Sequence, residues 1–170
     1  VHKVVDKIMF PTICQIGPIA IYSYGVMMAV AVIVCSYLFS RDVQPLKIPS
    51  EKIYNFVFWV VLGGILGARI YFIFLNLKFF TENPLEIIMI QRGGLCWQGG
   101  LIVGALTAVV LIKKNRWPFW QFLDYAAPYA ALGQSIGRIG CFFNGCCYGK
   151  EVPWGIYFPV HQAHLHPAQL

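Results

Sequence analysis

Long apolar runs, and not the short alternations of a soluble domain, dominate the polarity pattern of the chain. Four stretches are long and apolar enough to cross a bilayer, which takes about 20 residues. They lie at 19–39, 54–77, 94–112 and 119–137. The first is too long for the hydrophobic part of a signal peptide, and no small-residue cleavage site follows Cys35, so it reads as a retained span. Between the second and third runs the segment from Asn83 to Gly94 reads as a short helix lying at an interface. Asn83 is its N-cap, Pro84 suits its first turn and Gly93 its stop. The pattern predicts an all-α integral membrane protein, a polytopic bundle with about four spans in this chain. Residues 1–170 read as a single, truncated membrane domain, with 138–170 as a loop and tail on the outer face.

Composition sharpens that picture. Apolar residues make up 58% of the chain and charged residues 12%, against roughly 45–50% and 25% in soluble domains. Such a chain cannot cover a water-facing surface, and disorder and coiled coils are excluded by the same figures. Thirteen basic and seven acidic side chains leave a net charge of +6. Spread over short loops, that surplus suits anionic headgroups and topology; no run of like charge forms a nucleic-acid stripe. Arg41, Lys47 and Lys52 follow the first span, and Lys113, Lys114 and Arg116 follow the third. Excess Lys and Arg mark the cytoplasmic side. The N-terminal segment with Lys3 and Lys7, the 78–93 loop with Lys78 and Arg92, and everything after about residue 138 then face outward. Trp97, Trp117 and Trp120 fall near span ends, where indoles favour headgroups.

Several polar residues do not belong in a bland bundle. Arg69 lies well inside the second span, where a charge costs about 2.5–3.5 kcal/mol on insertion scales. It either snorkels to the headgroups or serves a site. Gly63, Gly64, Gly67 and Ala68 before it form a small-residue face that admits another helix. Asp124 is either a helix-terminus residue or the partner of an arginine. The third span opens GGLCWQGGLIVG. Its glycines permit unwinding or a close helix crossing, and Gln98 with Gly99 and Gly100 places a hydrogen-bonding group where the backbone is most open. After the fourth span, GRIGCFFNGCCYG sets Arg138 before Asn144, Gly145 and Gly149. A guanidinium fork, an amide and open glycine N–H groups together suit a phosphate.

Six cysteines are too few and too scattered for a disulfide scaffold, and Cys14 and Cys35 read as packing residues. Cys141, Cys146 and Cys147, followed by His161, His164 and His166, offer a rival site for zinc or another soft metal. Their spacing does not match the usual ligand pattern, and the histidines lie in a strand-like or turn segment. A disulfide among the three cysteines is the other option on an oxidising face, although the adjacent pair would be strained.

The order SYGVM, LGARI, GGLCWQGGLI, GRIGCFFNGCCYG and terminal HPAQL resembles the bacterial prolipoprotein diacylglyceryl transferases across nearly the whole chain. The resemblance implies an inner-membrane enzyme with seven helices in the complete fold. It would transfer the diacylglyceryl group of phosphatidylglycerol to the lipobox cysteine of a prolipoprotein signal peptide, releasing glycerol phosphate and using no cofactor or metal. Its partners would be phosphatidylglycerol, the prolipoprotein and membrane lipids. By the same resemblance the catalytic residues are Arg138, Gln98 and Tyr24. The substrate-binding residues are Arg138, Asn144, Gly149, Arg69, Gly99, Gly100 and His166. Two positions depart from the family pattern: Gln98 stands where a histidine is usual, and Cys141 stands at an asparagine. Glutamine orients and donates but takes no proton at neutral pH, so His166 or the phosphate would have to serve as base. The alternatives are an inactive phosphatidylglycerol-binding homologue and a Cys/His metal module.

Overall fold

A computed structural model describes residues 12–16, 19–87, 93–159 and 161–169. Lys3, Lys7, Arg92 and the 88–92 part of the expected interfacial helix lie outside them, as does the side chain of Cys14. The elements in order are strands β1 (Thr12–Ile16) and β2 (Ile19–Tyr22), then helices α1 (Ser23–Asp42), α2 (Ser50–Leu75) and α3 (Leu77–Glu82). Helices α4 (Trp97–Lys114) and α5 (Phe119–Phe143) follow, and strands β3 (Glu151–Phe158) and β4 (Ala163–Leu165) close the order. Short 3-10 turns occupy Gln44–Leu46 and Pro84–Ile87.

Among the described helices, α1, α2 and α4 are long and apolar enough to cross a membrane. Only 28%, 22% and 17% of their most apolar windows are buried. Ile33, Phe58, Ile70, Phe74, Leu106 and Val110 stand out from the protein surface. Helices that are apolar all round yet unburied need lipid as their solvent. Their polar side chains turn back on their own backbone: Ser36 donates to the Val32 carbonyl and Thr107 to that of Val103. Each hydroxyl is thereby satisfied without water.

Three expectations change. The first run does not begin its helix at residue 19. Ile19–Tyr22 instead pairs antiparallel with Thr12–Ile16, Ile16 opposite Ile19 and Gln15 opposite Ala20. Hydropathy does not separate these residues from the helix that follows, but Pro18 carries no amide donor and Ile-Ala-Ile-Tyr favours extended backbone. The fourth run is one helix of 25 residues, continuous through Pro128. It is long enough to span, about 37 Å at the helical rise, but Gln121, Asp124, Gln134 and Arg138 make it more polar than the other three. Asn83 ends α3 and leads straight into the Pro84–Ile87 turn, whose Glu86 N–H donates to its carbonyl, but its side-chain amide donates back to the Phe79 carbonyl and not forward as a cap.

The chain divides into two compact units, residues 1–39 with 126–170, and residues 40–125. In the second unit α2 and α4 pack through glycines. A Cβ built on Gly67 would meet Val103 and the Gly99 carbonyl oxygen at 2.7 Å, and one on Gly99 would meet Tyr71 and the Gly67 carbonyl. Gly64 and Gly100 face each other in the same way, Gly63 lies against Thr107, and a Cβ on Gly104 would lie 3.7 Å from the Gly64 Cα. The small-residue face therefore serves a close helix crossing, and α4 stays helical from Trp97. At the far end of the same pair, Ile53, Ile112 and Phe122 are fully buried, with Phe122 stacked on Trp117 and edge-on to Phe56.

In the first unit the small-residue stripe is on α5. Gly133, Gly137 and Gly140 face Cys35, Met28 and Met27 of α1, and Phe39 meets Tyr129. The β3–β4 hairpin closes on the end of α5, where Phe142, Phe158 and Leu165 form a buried cluster with Phe143, Ile156 and Ala163 around it. The hairpin carries a register irregularity in which Glu151 and Ile156 both face Leu165. Gly155 sits in that irregularity, and a Cβ there would strike the Leu165 backbone at 2.7 Å.

Candidate functional site

The turn after α5 is built by the helix-ending geometry that Gly145 permits. Gly145 takes the left-handed conformation, φ +70°. Its N–H donates to the Phe142 carbonyl, and the Cys146 N–H reaches back to the Cys141 carbonyl at 3.1 Å. These are the two bonds of a Schellman motif, with Phe143 as the last helical residue and Gly145 just past the cap. The 6→1 bond folds Cys146 back over Cys141. A second left-handed residue, Cys147 at φ +62°, keeps its sulfur 3.8 Å from that of Cys146.

The tail then zips onto this turn. The Gly149 N–H donates to the His166 carbonyl at 2.8 Å, and the His166 N–H to that of Lys150 at 2.9 Å. A Cβ on Gly149 would stand 3.0 Å from that of His166, so only glycine allows the approach. Gln169, almost fully buried, donates through Nε2 to the Cys146 carbonyl at 2.7 Å, while its Oε1 is buried without a hydrogen-bond partner among the described residues. Gln169 was missed as a site residue although it lies within the HPAQL motif; its partner is a backbone carbonyl, which no sequence pattern marks.

Around this turn the first unit collects five of the expected residues. Arg138 is exposed on the last turns of α5, with no hydrogen bond or ion pair to it among the described residues. Asn144 is half-buried, its side-chain amide likewise unengaged among them. Tyr24, exposed in the first turn of α1, lies against Gly140, where a Cβ would meet its ring at 3.5 Å. Gly149 and His166 form the zipped pair, and the exposed His166 ring stands edge-on to Trp154. One expectation is corrected here. The N–H groups of Asn144, Gly145, Cys146 and Gly149 do not face an anion, because backbone carbonyls already accept from all four. Of the arginine, amide and glycine N–H groups expected to hold an anion, the side chains of Arg138 and Asn144 are the donors left.

The histidines do not join the cysteines. His164 Nδ1 is 3.1 Å from the Gly155 carbonyl, His161 packs on Tyr148 with ring centroids 4.2 Å apart, and His166 meets Trp154. Among the described residues the cluster of metal-ligating side chains is Cys141, Cys146 and Cys147 alone. Burial pushes the Cys147 thiol above its ordinary range and contact with Cys146 adds to it, while Arg138 pulls the other way.

The second unit holds the other four. Arg69 is buried and does not snorkel. Its Nε donates to the Ile87 carbonyl at 3.2 Å and Nη1 to those of Gly93 and Gly94 at 2.7 and 3.0 Å. Nη2 donates to the Glu86 carbonyl, and the rings of Phe80 and Phe72 lie 5.4 and 6.0 Å from the guanidinium carbon. Each guanidinium nitrogen thus holds the backbone on one side or other of residues 88–92. The same guanidinium leaves no room at Gly94 (φ +81°), where a Cβ would meet Nη1 at 2.7 Å. Gln98 is exposed on the first turn of α4, its Oε1 accepting from the Cys96 thiol at 2.9 Å. Gly99 and Gly100 lie in the α2–α4 crossing.

The family model described as prolipoprotein diacylglyceryl transferase matches residues 11–170. The chain belongs to the prolipoprotein diacylglyceryl transferase family. Curated relatives named phosphatidylglycerol–prolipoprotein diacylglyceryl transferase are similar over most of its length. That of Trichormus variabilis is 36% identical over 154 residues, covering 89% of this chain and 55% of the relative. The Clostridium tetani protein is 33% identical over 169 residues, 95% of this chain and 68% of the relative. The Bacillus cereus protein is 38% identical over 138 residues, 81% and 51%. The chain thus spans about half the length of most of the transferases it matches, and within that span it carries the GRIG…NG…G turn and the helix pair described above.

Proposed function

We propose that this chain carries the headgroup-holding site of an enzyme that moves the diacylglyceryl group of phosphatidylglycerol onto the lipobox cysteine of a prolipoprotein signal peptide. In this reading the protein sits in the bacterial cytoplasmic membrane with the 138–170 turn and tail on the outer side. The observation that carries it is Arg138: an exposed arginine with no ion-pair partner among the described residues, on the last turns of the helix that runs into the tail-bound turn of the unengaged Asn144 amide. The relatives' names, which give phosphatidylglycerol and a prolipoprotein as the reactants, support the same reading.

The chemistry is displacement at a saturated carbon. The client thiol sulfur bonds to the terminal glycerol carbon of the diacylglyceryl group, the C–O bond to phosphate breaks, and its electron pair leaves with the phosphate oxygen as glycerol phosphate. Charge grows on that phosphate as the bond breaks, and a guanidinium already aimed at it stabilises the change without reorganisation. Arg138 is the catalytic residue in this role, with Asn144 as a second donor and Tyr24 donating from α1. The thiol, with an ordinary pKa near 8.5, must lose its proton. His166 takes it in this reading, since Gln98 cannot, and its ring is exposed next to the turn. Gln98 orients the headgroup, Gly149 admits the His166 strand, and Arg69, Gly99 and Gly100 are positioning residues.

The test is mass spectrometry of a lipobox peptide incubated with the full-length protein and phosphatidylglycerol vesicles. The cysteine gains a diacylglyceryl mass. Arg138→Ala lowers the rate by about 10²–10³-fold, the scale of losing one preorganised anion donor. Arg138→Lys keeps part of it, as a point charge without the fork. Near-normal turnover by Arg138→Ala would sink the assignment. Gln98 in place of the usual histidine favours a second reading, a homologue that binds phosphatidylglycerol without turnover. Vesicle binding with no mass gain on the peptide would select it.

A further inference from the structure

We propose that Cys141, Cys146 and Cys147 form a three-sulfur site for a soft monovalent metal ion, Cu(I). The three sulfurs lie within 4.8 Å of one another, and those of Cys146 and Cys147 are 3.8 Å apart. Metal–sulfur bonds of about 2.3 Å set sulfur–sulfur edges of about 4 Å in a trigonal shell, so closing the triangle asks for shifts of under about 1 Å. None of the three sulfurs is tied up in a disulfide, since Cys141, Cys146 and Cys147 are all free.

The backbone explains why the cluster is there. The Schellman bond from Cys146 N–H to the Cys141 carbonyl superposes the first two cysteines, and the left-handed Cys147 returns the third. A non-glycine residue in that conformation is unusual and costs energy, so the turn holds the third thiol in place against the local preference of the chain. Gln169 clamps the Cys146 carbonyl from the tail, which fixes the middle ligand. The site is therefore ordered before any ion arrives.

The donor set selects the ion. Three thiolates with no histidine or carboxylate among the described residues are soft ligands, which favour Cu(I) over hard cations. Three sulfurs complete a trigonal Cu(I) shell by themselves, whereas tetrahedral zinc would need water as a fourth ligand. Each sulfur–copper bond replaces a thiol S–H, and the displaced protons go to the buffer; copper stays monovalent throughout. The neighbouring Arg138 guanidinium offsets part of the negative charge of a tris-thiolate centre.

The experiment is an anaerobic titration of the full-length, reduced protein in detergent with Cu(I), against a competing Cu(I) chelator. X-ray absorption counts the sulfur neighbours. The expected result is one ion per chain with three sulfurs. The Cys141→Ser, Cys146→Ser, Cys147→Ser triple variant weakens binding by at least about 100-fold, and Cys35→Ser leaves it unchanged. Cys147→Ser alone, at an exposed position beyond the helix, keeps the test alive where the triple variant does not fold, and should lower the sulfur count to two. The proposal is overturned by wild-type protein that fails to compete with the chelator, by three-sulfur binding that survives in Cys147→Ser, or by Zn(II) held more tightly than Cu(I). Transfer activity enters none of these readouts, so the inference stands or falls apart from the proposed function.

Discussion

Arg69 and Arg138 are the same residue in opposite surroundings. Arg69 is buried with every guanidinium nitrogen on a backbone carbonyl, while Arg138 is exposed with none of its nitrogens so engaged among the described residues. The first arrangement organises a loop and the second leaves the guanidinium open to a ligand. Hydrogen bonds from a charged donor are worth about 1.5–3 kcal/mol each, so Arg69→Ala removes several and leaves the carbonyls of Glu86, Ile87, Gly93 and Gly94 without this donor. The expected outcome is a lower thermal midpoint and new protease cleavage within the 84–94 segment, with headgroup affinity per folded molecule changed little. Arg69→Lys recovers only part of the stability, because an ammonium cannot reach all four carbonyls from one plane. Limited proteolysis alongside vesicle binding checks this. A variant that keeps the loop intact but loses the lipid would return Arg69 to direct headgroup contact.

At the scale of elements, glycine decides where two helices meet. In water, Gly→Ala inside a helix gains about 1 kcal/mol from propensity. At Gly67 and Gly99 the added methyl instead meets the facing backbone and a side-chain Cβ, contacts that no rotamer change relieves. Overpacking of this kind costs about 1–3 kcal/mol. Gly67→Ala and Gly99→Ala should each destabilise the α2–α4 pair, and Gly104→Ala, whose Cβ has 3.7 Å to its nearest neighbour, should not. Melting followed by circular dichroism in detergent separates the three; equal midpoints would refute the close crossing. The glycine face was legible in the sequence because small residues at helical spacing have one main use in a membrane. The start of α1 was not, since Ile19–Tyr22 is as apolar as the helix it precedes. The destination of Arg69 was hidden for another reason: its acceptors are carbonyls, which every residue carries. The three cysteines were marked in the sequence together with the tail histidines, but that the Schellman turn gathers the cysteines without the histidines shows only in three dimensions.

On the whole molecule the charges of the loops and the apolarity of the helices act together. α1, α2 and α4 fix that the chain lies in a membrane, by length and composition, but nothing in an apolar helix says which end is inside. That choice rests on Arg41, Lys47 and Lys52 around the α1–α2 connection and Lys113, Lys114 and Arg116 around the α4–α5 connection, because moving basic residues across the energised membrane is disfavoured. If those loops are cytoplasmic, the ends of α1 and α5 that carry Tyr24 and Arg138 face outward, the side on which a secreted client would present its thiol. The consequence is measurable with single cysteines in an otherwise cysteine-free background. Lys150→Cys, exposed beside the signature turn, should react with a membrane-impermeant maleimide in intact spheroplasts. Lys114→Cys, exposed at the end of α4, should react only after the membrane is opened. The reverse pattern would place Arg138 on the cytoplasmic side and overturn the outward reading of the 138–170 turn and tail.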